Sequence, residues 1–370
     1  KKSLENFRQK AENVVFFQQR GSQDQRVLRI ADLAVFIAGK LNLSDAQQKH
    51  VRRIAELSKF DLESRLVQEF PELQGLMGEN YARLKNEAAV VCRGIREHYY
   101  PRNTKDSLPA DAESVPVALA DKLDLLTTAF SLNMIPSGAA DPYALRRTAQ
   151  GITQLILGLR LPLDLRELTS AAVRLLDEQQ KLALERTKLQ EELLDFLLQR
   201  QRWFMQERGI RYDLIDAVLK NQTEVKAVNG KTPHRVLAIE QLQYADYLGD
   251  HLETKMFKRS VEAIVRAGNI SSKYPDKIAD NLVESALKLT EEINFYAALK
   301  PILKSDPQTL WTPDNYLEQL REIEPVVTRF FEDVMVMDED HVKCGNRLWL
   351  CQQLAQWSGR HLDLQSIVFA

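Results

Sequence analysis

The stretch Val117-Ala118-Leu119-Ala120-Asp121-Lys122-Leu123-Asp124-Leu125-Leu126-Thr127-Thr128-Ala129-Phe130 decides the fold class. Its apolar residues do not alternate with polar ones, so a half-buried strand is excluded, and its length suits a helix. It reads as a strongly apolar helix interrupted by Asp121 and Asp124. A spacing of three puts these two carboxylates near one helix face. Turned inward, they would cost several kcal/mol unless paired or bound to a metal (roughly 2–7 kcal/mol for an unpaired polar group). A metal cluster is one reading. A buried polar network or a solvated stripe is the commoner one.

Outward from this helix the signals stay helical. Upstream, Leu28, Leu33, Phe36 and Ile37 are placed on one face of a helix ending near Gly39. Ser44 is an expected N-cap for Asp45–Leu57. Phe60–Val67 continues in helical style with Leu62, Leu66 and Val67 inward. Glu72–Tyr81 contains Gly75 and Gly78 and reads as a helix with weak points or a tight turn. Residues 100–116 and 133–141 are loops. Asp141-Pro142 looks like an N-cap with Pro at the first helical position. Downstream, 162–260 reads as long helices with a linker candidate at 221–234. Glu253–Ile270, Ile278–Leu299, Asn315–Val336 and Arg347–Ser358 follow as helices, with Pro325 placed near the start of a helical turn. The expectation is an all-α chain of two helical lobes joined by a helical connection.

Composition bounds the function. The 370 residues are 44% hydrophobic and 28% charged, with a formal net charge of −2, which fits a folded chain and not a disordered one. Residues 1–160 carry 23 Lys/Arg against 19 Asp/Glu, and 161–370 carry 27 against 33. Any nucleic-acid binding must therefore come from local patches. The chain begins at Lys1, so a fragment of a longer protein is expected. No signal peptide and no apolar run near 18 residues is visible, so neither secretion nor a membrane span is expected. Cys92, Cys344 and Cys351 suggest no disulfide framework.

No phosphate-binding glycine loop, G-x-S-x-G, C-x-x-C or H-E-x-x-H occurs. The six histidines are scattered, none at metal-ligand spacing on one helix. Two basic clusters stand out. One is Arg146-Arg147. The other spans Thr254–Lys277, where Lys255, Lys258, Arg259 and Arg266 lie at mostly helical spacing. Such patches bind phosphates, although a solvated face is the commoner explanation.

Several ordered blocks resemble the bacterial-type glycyl-tRNA synthetase β subunit, in its C-terminal half. They are Lys59-Phe60-Asp61-Leu62, then Val67-Gln68-Glu69-Phe70-Pro71-Glu72-Leu73-Gln74-Gly75-Leu76-Met77-Gly78, then His98-Tyr99-Tyr100-Pro101-Arg102. Leu119-Ala120-Asp121-Lys122-Leu123-Asp124 and Asp141-Pro142-Tyr143-Ala144-Leu145-Arg146-Arg147 follow. Arg266-Ala267-Gly268-Asn269-Ile270, Phe330–Met337 and Asn346-Arg347-Leu348 close the series. The resemblance implies an HD-like helical domain over 1–162, a body-tail region over 163–252 and a DALR-type anticodon-binding domain over 253–370.

It also implies a role in binding tRNA-Gly, at the acceptor side and the anticodon, beside an α subunit that attaches glycine using ATP and Mg. A heterotetramer in the cytoplasm is the expected assembly. This chain alone is expected to be non-catalytic and to hold no cofactor. The candidate tRNA-binding residues are Arg146, Arg147, Lys255, Lys258, Arg259, Arg266, Asn269 and Arg347. An HD hydrolase needs a His-Asp doublet with further His and Asp ligands around a metal, whereas the corresponding doublet here resembles Phe60-Asp61. Asp61 and Asp121 are then non-catalytic remnants, with no metal expected. A metal-dependent HD phosphohydrolase and a purely structural scaffold are the alternatives.

Overall fold

The computed structural model describes residues 16–17, 21–138, 140–182, 185–224, 238–304 and 312–369. Among them 73% are helical, with no strand or sheet. The fold is all-α, as the apolar periodicity requires. Most of the linker candidate at 221–234 lies outside the described residues. The described residues fall into two compact units, one within Lys1–Phe204 and Arg235–Ile239 and the other within Met205–His234 and Glu240–Ala370.

The first unit contains α1 (Gln23–Lys40), α2 (Asp45–Glu56), α3 (Arg65–Glu69), α4 (Leu76–Arg83), α5 (Ala89–Glu97), α6 (Ser114–Ser131), α7 (Leu145–Gly158), α8 (Leu165–Gln180) and most of α9 (Arg186–Glu207). Every residue of α6 except Leu125 is buried. A helix that is apolar almost all round must be enclosed, and α1, α5, α7 and α8 pack around it. Ser22 with Gln25, and Ser44 with Gln47, close reciprocal capping boxes at α1 and α2. Each satisfies two otherwise orphaned N-terminal groups. Gly78 and Gly94 let helices approach closely. A Cβ at Gly94 would lie 2.4 Å from Ile54 Cδ1.

The second unit contains α10 (Tyr212–Glu224), most of α11 (Ala238–His251), α12 (Lys255–Lys273), α13 (Thr290–Lys304), α14 (Pro313–Asp333) and α15 (His341–His361). Phe257, Phe295, Tyr316, Phe330 and Trp357 form its aromatic core. Tyr316 lies 5.0 Å from the Trp357 ring and shares a 2.8 Å hydrogen bond with the Ser358 hydroxyl. Within residues 163–252, α8 and the bulk of α9 belong with the first unit, and α10 and most of α11 with the second.

Local expectations needed correction where side-chain chemistry competes with periodicity. Leu28 is exposed, and the inward face of α1 is Ile30, Leu33, Ala34 and Ile37. Phe60–Val67 is not one helix: a 3-10 turn, Phe60–Glu63, ends at Ser64, whose hydroxyl caps α3. Ile278–Leu299 is α-helical only from Thr290, with a short 3-10 turn at Glu284–Ala286 before it. Pro142 is not at the start of α7. Ala144 is the N-cap, in the left-handed region at φ 54°, and the Asp141 carboxylate accepts from the Leu145 and Arg146 amides at 2.8 and 3.0 Å. Pro325 sits well inside α14 and not at the start of a turn.

Candidate nucleic-acid interface and a buried charged centre

The central helix α6 aims Asp121 and Asp124 toward cations of α1. Arg26 Nη2 donates to Asp121 Oδ1 at 2.7 Å, and Arg29 donates to both Asp124 oxygens at 2.6 and 3.1 Å. Lys59, entering from the turn before Phe60, donates to Asp121 Oδ2 at 2.9 Å. The two carboxylates therefore belong to a buried ion-pair network, which was one of the alternatives their spacing left open.

Lys59 Nζ also lies 3.0 Å from His98 Nε2, while His98 Nδ1 lies 2.7 Å from the Ile95 carbonyl. With Nδ1–H donating to that carbonyl, Nε2 offers its lone pair to the ammonium. Burial, then repulsion from Lys59, keeps the His98 pKa well below its usual value, so the ring is neutral. Burial would raise the Asp121 pKa, but Lys59 and Arg26 hold it well below the usual carboxylate range. Burial also lowers Lys59 to about 8 against the attraction of Asp121. At neutral pH the pair stays charged.

This arrangement tests the residues against a metal. The Nε2 and Oδ2 atoms that a divalent ion would take are both within hydrogen-bond reach of one ammonium group. A metal there would meet a fixed positive charge at van der Waals distance, so the donor set does not fit one. Asp61 stands nearby. Its Oδ2 accepts from the Gly75 amide at 2.7 Å, and burial raises its pKa. No group of three or more His, Cys, Asp or Glu among the described residues could hold a metal ion. The sequence reading missed Lys59, His98 and Arg26. The signal present was Lys59 adjoining the resembled doublet.

The basic candidates of the second unit lie on α12. Thr254 caps this helix by accepting from the Phe257 amide. Phe257, Val261, Ile264 and Ala267 form the face that packs on α14 and α15. The opposite face carries Lys255, Arg259, Glu262, Arg266, Asn269 and Lys273, all exposed. Their spacing of four, three, four, three and four is one continuous stripe, about 27 Å long at 1.5 Å per residue. Lys258 is off this stripe and half-buried, with Nζ 5.6 Å from the Phe369 ring centre. Arg259 makes a loose 3.4 Å contact to Glu324, the kind of exposed pair that contributes little. Arg266 lies over the Phe331 ring at 4.5 Å.

Toward the end of α12 the stripe borders an open groove of about 550 Å³ lined by Arg266, Asn269, Ile270, Lys273, Tyr274 and Met337, among others. The groove combines cations, an amide and an aromatic ring. Lys273, Tyr274 and Met337 were missed from sequence. Continuing the four-three spacing from Arg266 would have reached Lys273.

Arg347 is different from the other candidates. It is 5% exposed, its Nε donates to Glu292 at 2.6 Å, and its Nη1 donates to Asp338 and the Met335 carbonyl, both at 2.8 Å. Its guanidinium knits α13, α15 and the loop after α14 together, and it is not part of an exposed face. Arg146 and Arg147 lie in the first unit, half-buried and exposed respectively.

No described helix is long and apolar enough to cross a membrane. The family model described as Glycyl-tRNA synthetase beta subunit matches residues 1–220. Proteins named glycine–tRNA ligase beta subunit are similar over most or all of the chain. That of Halalkalibacterium halodurans is 34% identical over 372 residues, covering 100% of this chain and 52% of the relative. That of Desulfitobacterium hafniense is 36% identical over 349 residues, covering 92% and 48%. That of Bacillus subtilis is 33% identical over 343 residues, covering 92% and 46%. The chain spans about half the length of these curated relatives. It belongs to the glycyl-tRNA synthetase beta subunit family.

Proposed function

We propose that this chain is the tRNA-binding part of a glycine–tRNA ligase β subunit, recognising tRNA-Gly while an α subunit attaches glycine with ATP and Mg. The observation that carries the reading is the α12 stripe and its groove. Cations spaced along one helix supply sequence-independent attraction to phosphates, and an aromatic ring beside an amide suits an unstacked base. Asn269 offers both a donor and an acceptor to a base edge. The second unit is acidic as a whole, so a local patch and not a general field would select the RNA. In this reading the first unit is an HD-like lobe that keeps the helical frame of a hydrolase without its metal chemistry, and it meets the acceptor side through Arg146 and Arg147. The assembly is a cytoplasmic heterotetramer.

The test is a titration of the 370-residue chain with tRNA-Gly and a non-cognate tRNA at several salt concentrations. The Arg266→Ala and Lys273→Ala variants are compared with the parent. Affinity should fall, and the salt slope should flatten by roughly one unit for each phosphate that is no longer neutralised. Unchanged affinity and slope in a folded double variant would show the stripe to be a solvated surface. The chain alone should show no glycine-dependent ATP–pyrophosphate exchange. Exchange above a mock preparation would place catalysis here and overturn that part of the reading.

A further inference from the structure

The first unit holds a second cavity, of about 430 Å³, lined by Asn103 and Thr104 of a loop and by Arg146, Arg147 and Gln150 of α7. The loop is fixed by bonds that leave its side chains uncommitted. Gln154 donates to the Thr104 carbonyl at 3.0 Å, tying the loop to α7. The Asn103 side-chain oxygen accepts the Lys105 amide at 3.0 Å, and the Asn103 carbonyl accepts the Asp106 amide at 3.2 Å. Just upstream, Lys122 reaches out from α6 and donates to the Tyr100 carbonyl at 2.9 Å. A loop held at so many points offers a surface that a ligand need not order.

What remains on the lining is polar and unpaired. Among the described residues the Asn103 side-chain nitrogen, the Thr104 hydroxyl and the Gln150 amide make no hydrogen bond. The Gln150 nitrogen is enclosed, and buried polar atoms are nearly always satisfied. A side-chain amide turns about its last bond at little cost, so Gln150 can present its donor or its acceptor. Asn103 has no such choice. Its oxygen is held by the Lys105 amide, so the nitrogen is its free end. Asp141 also lines the cavity, but both its oxygens accept amides of α7, at 2.8 and 3.0 Å.

We infer that this cavity takes one unpaired nucleotide of an RNA, with Gln150 and Asn103 reading the base edge. The inference rests on the RNA contact proposed above for Arg146 and Arg147 and adds a base to it. A phosphate alone would engage the arginines and leave the amides and the hydroxyl idle. A base within a helix has its pairing edge occupied and its faces stacked. An unpaired base can splay out, hydrogen-bond at its edge and stack on a guanidinium plane. The volume lies in the range of small-ligand sites, roughly 300–1,000 Å³, which suits one nucleotide and not a helix. Asn103 supplies a donor for a base carbonyl or ring nitrogen, and Gln150 supplies the group the neighbouring base atom needs. The arginines then give attraction without sequence information, and the two amides make it selective.

The experiment uses the 370-residue chain and three RNA duplexes of one sequence, followed by fluorescence anisotropy. One is blunt. One has a longer strand that overhangs at both its 5′ and 3′ ends. One has the same overhangs without bases. The overhanging duplex should bind roughly tenfold more tightly than the other two. Gln150→Met keeps the side-chain length and removes the amide. It should bring the overhanging duplex down to the blunt affinity, with blunt binding and the unfolding temperature unchanged. Asn103→Asp keeps the oxygen that holds the Lys105 amide and removes the donor, and it should lower the ratio of overhanging to blunt affinity. Equal affinities for the three duplexes would overturn the inference. A preference that the baseless overhangs retain would also overturn it, in favour of phosphate contacts alone. So would an unchanged ratio in both folded variants, which would place the base elsewhere. If Arg147→Gln weakens all three duplexes and no overhang preference exists, this inference falls and the arginine contact stands. If Arg147→Gln changes none of them, the contact on which it rests is overturned.

Discussion

Helices α6 and α12 are nearly equal in length, 18 and 19 residues, and both carry charges at helical spacing, yet they use them in opposite ways. In α6 the charges Asp121, Lys122 and Asp124 are enclosed with the rest of the helix. In α12 Lys255, Arg259, Arg266 and Lys273 stand in solvent, with the apolar residues confined to the other side. The difference lies in the company each charge keeps. A charged residue flanked by apolar neighbours on every side of the helical wheel is carried inward and must find a partner. One opposite a clean apolar face stays out and is free for a ligand.

The strongest way to break this contrast is to remove a partner inside. Asp121→Ala should cost about 3–5 kcal/mol, because Lys59 is left as a buried cation without its carboxylate and Arg26 keeps only a 3.5 Å contact to Asp124. Equilibrium unfolding in denaturant measures it. A loss below about 1 kcal/mol would mean that the centre is wetter than its burial indicates. Next in size is Gly78→Ala. The added Cβ would sit 2.7 Å from Ile95 Cγ2 and 3.1 Å from Asp61 Oδ2, an overpacking expected to cost about 1–3 kcal/mol on the same measurement.

The pH dependence sharpens the comparison further. Burial lowers Lys122 to about 8, as it does Lys59. Between about pH 8 and the ordinary lysine value near 10.4, the unfolded chain holds protons that the folded chain has released. Stability contributed by these groups therefore rises with pH across that window. Lys122→Met should make the slope shallower there by up to about 1.4 kcal/mol per pH unit. Asp121, with its depressed pKa, acts in the usual direction. Its contribution is present above about pH 4 and is lost as the pH falls below that. An Asp121→Asn variant should lack this acid limb. The smallest effect belongs to α12, where Arg266→Ala and Lys273→Ala should each change stability by less than about 0.5 kcal/mol. A larger loss would show that these side chains support the fold.

The fold class was legible because apolar periodicity is a local property, and helices depend on local pattern more than sheets do. The caps at Ser44 and the enclosure of α6 follow from chemistry within a few residues. Segments such as Phe60–Glu63 and 278–289 escaped because Ser64 and local turns such as Glu284–Ala286 interrupt helices that hydrophobicity alone would continue. The candidate sites were legible as clusters but not as geometries. Arg347 looks like Arg266 in sequence, and only the arrival of Glu292, 55 positions earlier in the chain, shows that it is internal. His98 looks like one scattered histidine among six because its partner Lys59 is 39 positions away.

The ammonium of Lys59 has a consequence for how the first unit meets its surroundings. A metal ion in such a place would be a borrowed part, exchanging with the medium and removable by a chelator. A charge on the end of a side chain is made with the chain, arrives at an effective concentration set by its own tether, and cannot be diluted away. The centre therefore brings its own countercharge to Asp121 as the helices close on it.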